Sequence, residues 1–130
     1  MRMSLAAAAA ALLVALGGCG GGSGSGSAPS SPSAAEPTVT INPSGVDTKR
    51  INISQGSRVL FVNHDTTSHL MASDPHPEHT DCPEINNVGL LQPGESRETG
   101  NLNTVRSCGF HDHDDPAPGG SRWTGQIVIQ

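Results

Sequence analysis

The sequence predicts an all-β fold, a Greek-key antiparallel β-sandwich, and three observations carry that expectation. Short apolar segments alternate with turn residues every eight to twelve positions or so, the rhythm of a sandwich. No stretch of a dozen residues keeps a 3.6-residue period, because Pro and Gly recur throughout. Tyr is absent and only Phe61, Phe110 and Trp123 are aromatic, so the core must be built mainly from the Val, Ile and Leu of those segments.

The chain divides into three regions before the strands begin. Residues 1–18 read as an export signal: Arg2 supplies the positive start and Leu5 to Leu16 is an unbroken run of Leu, Ala and Val. That run is short of the roughly 20 apolar residues needed to span a bilayer. Leu16-Gly17-Gly18-Cys19 is similar to a bacterial lipobox, which implies lipidation of Cys19 and a domain tethered at the cell envelope, facing the periplasm or the extracellular space. Residues 19–36 are dominated by Gly, Ser, Ala and Pro and read as a flexible linker with too little apolar surface to offset its ordering entropy. Residues 37–130 remain as one domain, long enough for a single core. The precursor carries a net charge of -5, and losing Arg2 with the signal makes it more acidic by one. No basic patch offsets that charge, which argues against a nucleic-acid partner. Membrane contact is expected through the lipid alone, and the domain is expected to be monomeric.

Within the domain the strands follow in order. Thr38 to Asn42 alternates Val39 and Ile41, and Arg50 to Ser54 alternates Ile51 and Ile53. Gln55-Gly56 is a turn. Arg58 to Asn63 is a continuous apolar run of the kind expected of a central strand covered on both sides. His69 to Ala72 is a short strand, and Gln92-Pro93-Gly94-Glu95 is a turn. Glu98 to Asn103 and Thr104 to Cys108 are weaker strand segments, and Gly125 to Gln130 closes the domain. Two polar loops interrupt the pattern, Ser73 to Asn87 and Asp112 to Arg122, and long loops in small domains tend to carry function.

The chemistry-bearing residues are concentrated. All six histidines lie between His64 and His113, and Cys82 and Cys108 share that half of the domain. Such clustering points to a metal. His64 follows Asn63 at a turn and is expected to be exposed. The pair His76 and His79 lies in a loop stiffened by prolines, and Asp112, Asp114 and Asp115 flank His111 and His113 as potential acceptors for ring N–H groups. The two cysteines leave alternatives open. An exported domain favours a Cys82–Cys108 disulfide, which would close a loop of about 27 residues and contribute roughly 3 kcal/mol by loop entropy. The metal would then be held by imidazoles drawn from His69, His76, His79, His111 and His113, a set suited to oxidised copper or zinc. No zincin helix, phosphate loop or nucleophile elbow is present, so no enzymatic activity is expected.

Several segments, taken in order, resemble the cupredoxins, the family of plastocyanin and amicyanin. Val59-Leu60-Phe61-Val62-Asn63 followed by His69 is similar to the family's strand, Asn and first copper ligand. Leu91-Gln92-Pro93-Gly94-Glu95-Ser96 resembles its Pro-Gly turn, Cys108-Gly109-Phe110-His111 its ligand loop, and Trp123 to Ile129 its last strand. The resemblance implies a cupredoxin-like sandwich with His69, Cys108 and His111 as copper ligands, one-electron transfer and a redox partner protein. The sequence departs from the family where the axial Met is usual: Trp123 stands there, and Met71 or His113 are the alternatives. Cys82 is the second departure.

Overall fold

The computed structural model describes residues 35–115 and 122–130. The expected signal, Cys19 and nearly all of the linker lie outside the described residues. Nine strands follow one another: β1 (Thr38–Asn42), β2 (Gly45–Val46), β3 (Arg50–Ile53), β4 (Leu60–Asn63), β5 (His69–Ser73), β6 (Gly89–Leu91), β7 (Ser96–Glu98), β8 (Arg106–Asp112) and β9 (Gly125–Ile129). The only helical element among the described residues is a 3-10 turn at Ile85–Asn87. β2-β1-β4-β7 form one sheet and β3-β9-β8-β5-β6 the other.

The all-β sandwich is as expected, with one difference in strand sense. β1 pairs β4 in parallel and β3 pairs β9 in parallel, while the other pairs are antiparallel. Both sheets are therefore mixed. The expected alternation of β1 is realised, since Val39 and Ile41 are both buried between half-buried neighbours. The run around β4 behaves differently from a strand covered on both sides: Phe61 and Asn63 are buried while Leu60 and Val62 are only half-buried. Two further expectations shift. Residues 99–103 form no strand, because Gly100 and Leu102 spend their amides on Glu84 and Ser57 outside any ladder. β8 runs on to Asp112, four residues beyond the expected Cys108.

The core lies between the sheets. Phe61 of β4 meets Phe110 of β8 edge to face with ring centroids 5.1 Å apart, the arrangement their quadrupoles favour. Val39, Ile41, Ile127 and Ile129 fill the space around them. Asn63 is a fully buried polar residue, and all its groups are used: Nδ2 donates to the carbonyls of Thr67 and Leu91, and Oδ1 accepts from the Asp65 amide. It thereby fixes the turn leading into β5. At the Pro93-Gly94 turn, Gly94 has φ +81° and the Glu95 amide donates to Gln92, a geometry that Pro followed by Gly supplies without strain.

Candidate metal centre

Strand parity places the candidate residues. Successive side chains of a strand point to opposite faces. In β8, Cys108, Phe110 and Asp112 point inward and are buried. His111 therefore points outward. The antiparallel register pairs Ala72 with His111 and Met71 with Asp112, so in β5 the inward set is His69, Met71 and Ser73. His69 and His111 thus stand on opposite faces of the same sheet.

Cys108 is bonded to Cys82 in a disulfide, with Cα atoms 5.8 Å apart and both residues fully buried. A sulfur in that bond offers no thiolate. The structure therefore does not assemble the trio of His69, Cys108 and His111 expected from the ligand-loop resemblance. It joins the alternative pair instead. The reason is local: the loop after β5 folds back over β8, where the Asp74 amide donates to the Gly109 carbonyl, and this lays Cys82 against Cys108.

His69 has a different task. It is 2 % exposed, with Nδ1 2.7 Å from Asp112 Oδ2 and Nε2 3.0 Å from Asp65 Oδ2. Carboxylate oxygens at both nitrogens hold the ring from two sides in the interior. Burial alone would raise the Asp65 carboxyl, but the Thr66 amide and His69 outweigh it and hold it below its ordinary value. Asp112 also accepts at Oδ1 from the Leu70 and Asp114 amides. Trp123 lies against the His69 ring at 4.7 Å between centroids, and its Nε1 donates to the Asn42 carbonyl. His69, expected as the first ligand, is thus part of a buried polar network, and Trp123, which stands where the family's axial Met is usual, packs against its ring. Met71 is buried in the core on the His69 face.

The outward face carries the site. His76, His79, His111 and His113 each present one ring nitrogen, and these four atoms all lie within 4.8 Å of one another. Four nitrogens around zinc or copper at bond lengths of about 2.0–2.1 Å sit about 3.3 Å apart in a tetrahedron, so small side-chain rotations close the group on an ion. β8 and its extension contribute His111 and His113, and the loop after β5 contributes His76 and His79. His113 is held by its amide, which donates to the Leu70 carbonyl. The loop is held by Asn86, whose side chain accepts from the Ser73 amide and donates to the His79 carbonyl. His79 itself sits at φ +54°.

Electrostatics favour a neutral ring at His79. Burial, then the neighbouring His111, His113 and His76, pushes the His79 imidazole below its ordinary value, with Glu78 opposing. His79 Nε2 and His113 Nδ1 share one hydrogen at 3.1 Å. His111 donates from Nδ1 to Asp74 Oδ1 at 2.7 Å, while its buried Nε2 has no hydrogen-bond partner among the described residues. That nitrogen carries a lone pair no protein donor uses, as a ligating imidazole requires. His64 is exposed and stands outside this group. The imidazole set expected beside a Cys82–Cys108 disulfide named all four histidines with His69 as a fifth, whereas the copper trio of His69, Cys108 and His111 left His76, His79 and His113 as additional or axial ligands. Strand parity across Cys108 to His113 was the signal that separates His69 from the rest.

No protein-family model matches the chain, and no curated protein matches it. Solved structures do. A purple cupredoxin from Nitrosopumilus maritimus matches with a TM-score of 0.58 at 14 % identity, over 73 % of this chain and 100 % of its own. Amicyanin from Paracoccus versutus matches at 0.58 and 15 % identity, over 75 % and 84 %. Plastocyanin from Dryopteris crassirhizoma matches at 0.54 and 17 % identity, over 72 % and 99 %. This likeness, over two sheets with β8 and β9 inside the larger one, gives this chain the cupredoxin fold.

Proposed function

We propose that this protein is an exported, lipid-anchored copper-binding protein that holds one divalent ion on four imidazoles, with the Cys82–Cys108 disulfide as a structural tie. The observation that carries this reading is the convergence of His76, His79, His111 and His113, one ring nitrogen from each within 4.8 Å of the others, with the buried Nε2 of His111 left without a hydrogen-bond partner among the described residues. A set of neutral nitrogen donors without thiolate suits oxidised copper, and zinc is the alternative ion. Copper(II) binds more tightly than zinc in a given nitrogen site. The protein would bind or buffer the ion without catalysing a reaction. The Leu5–Leu16 run and Cys19 support a lipid anchor at the cell envelope, with the domain facing the periplasm or the outside.

The test is titration of the full-length protein with copper(II) and with zinc(II), followed by elemental analysis. One ion per chain is expected, lost in His111→Ala and in His79→Ala with the fold intact. Stoichiometric binding that survives both substitutions refutes the site.

The amicyanin and plastocyanin likeness favours a second reading, a one-electron carrier with copper on His69, Cys108 and His111 and a redox protein as partner. It requires Cys108 as a free thiolate and both rings on one side of the sheet. An intense colour in the copper(II)-loaded protein, lost in Cys108→Ser, would support this reading against the first.

A further inference from the structure

Asp74 immediately follows β5 and lies opposite Gly109 of β8, with its amide donating to the Gly109 carbonyl. From there its carboxylate reaches along the outer face to His111, two residues further on, and accepts from Nδ1 at 2.7 Å. Donation from Nδ1 leaves Nε2 as the lone-pair nitrogen of a ring that belongs to the four-histidine group, and Nε2 is buried with no hydrogen-bond partner among the described residues. The space the carboxylate occupies exists because residue 109 has no side chain: a Cβ there would lie 1.9 Å from Asp74 Oδ2 and 2.8 Å from its Cγ. No heavy atoms approach so closely, so any larger residue at 109 must displace the carboxylate. The 109–111 spacing, Gly-x-His, and Asp74 across the strand pair are therefore one arrangement.

We infer that Asp74 is the positioning residue of the metal centre, fixing the tautomer and ring orientation of His111 and raising its donor strength, and that Gly109 is present to admit it. The inference rests on the four-imidazole reading for its effect on the ion. The Asp74–His111 bond itself stands without it. Carboxylates that accept from a ligating ring typically contribute 10- to 100-fold in metal affinity. Among the described residues the hydrogen bonds of Asp74 go to His111, Gly109 and Asp81, none of them in the inward network of His69.

The experiment compares full-length wild type with Asp74→Asn, Asp74→Ala and Gly109→Ala. Copper(II) and zinc(II) alone are the titrants, and Trp123 fluorescence with thiol titration reports the fold. Long-range nitrogen–proton NMR of the metal-free protein should show the His111 ring protonated at Nδ1 in wild type. That preference should be lost in Asp74→Ala and retained in Asp74→Asn, which keeps an acceptor oxygen. Affinity should fall about 10- to 100-fold in Asp74→Ala and by less in Asp74→Asn. Gly109→Ala should follow Asp74→Ala although it removes no polar group. Where Gly109→Ala does not fold, the two Asp74 variants decide. Wild-type His111 protonated at Nε2, or a folded Asp74→Ala protein binding within twofold of wild type, overturns the inference. A wild-type protein that binds neither ion overturns the metal site instead, and the tautomer then decides the Asp74–His111 bond on its own.

Discussion

Opening the disulfide tests both the fold and the donor set. Cys82 and Cys108 are 26 residues apart in sequence, and constraining a loop of that length removes about 12 cal/mol/K from the unfolded chain, or about 3.5 kcal/mol at 25 °C. A domain of this size moves by about 4–8 °C per kcal/mol, so the double variant Cys82→Ala/Cys108→Ala is expected to melt about 14–28 °C lower. Both side chains are fully buried and join the core, and the lost sulfur contacts add to the deficit. Trp123, the single tryptophan, reports unfolding from its place against His69. Below the transition the variant should still bind one copper(II) or zinc(II) ion, with affinity within about tenfold of wild type, since none of the four donors is sulfur and Asn86 still pins the loop. Two results refute the reasoning. A melting temperature unchanged despite two titratable thiols in reduced wild type would show that the bond does not restrain the chain. Complete loss of the ion from a folded double variant would make Cys108 a ligand.

Other substitutions probe the inward network and the acid response. His69→Leu strands the Asp112 carboxylate in the core and is expected to destabilise the protein by about 3 kcal/mol or more, measured by urea unfolding without metal, while leaving the four-imidazole donors in place. Asn63→Ala removes three buried hydrogen bonds and is expected to cost about 3 kcal/mol at roughly 1 kcal/mol each; a change under 1 kcal/mol would mean that water replaces them. The Asp65 carboxyl is held below its ordinary value of 3.8, so its contribution is present above that value and disappears as pH falls through the lower folded one. Acid unfolding curves should therefore show Asp65→Asn losing its deficit relative to wild type at the acid end. The His79 imidazole is held below its ordinary value of 6.5, so His79 remains a neutral donor at pH 6.5 and surrenders its place to protons only in more acid solution. Isothermal titration across pH 5–8 should show binding weakening on the acid side.

Much of the sandwich was legible because β1, β3 and β9 write their alternation directly into Val39, Ile41, Ile51, Ile53, Ile127 and Ile129. The mixed strand sense was not, since pairing between β1 and β4 depends on crossovers that no local pattern records. β6 was missed because Gly89-Leu90-Leu91 is too short to show a period. At the site, the histidine cluster could be read, whereas its membership could not. His69 and His111 are both plausible ligands by type, and only the register of β5 against β8 sends one ring into the core. The buried partners of His69 come from positions 65 and 112, and residue types alone do not distinguish a carboxylate that binds a buried imidazole from one that is solvated. The competition for Cys108 was visible as two thiols in one half of the domain, and the backfolding of the loop after β5 resolved it.

His76 is the exposed member of the four, whereas His79, His111 and His113 are at least partly covered. A bound ion would therefore have one handle turned to the surroundings and three turned away. Release would begin where an incoming donor can displace the outermost ring first, so that the ion changes hands by successive substitution, with no need for the sheets to part. An ion held on the outside of the sheet would be exchanged by ligand substitution at the surface, and the core would take no part.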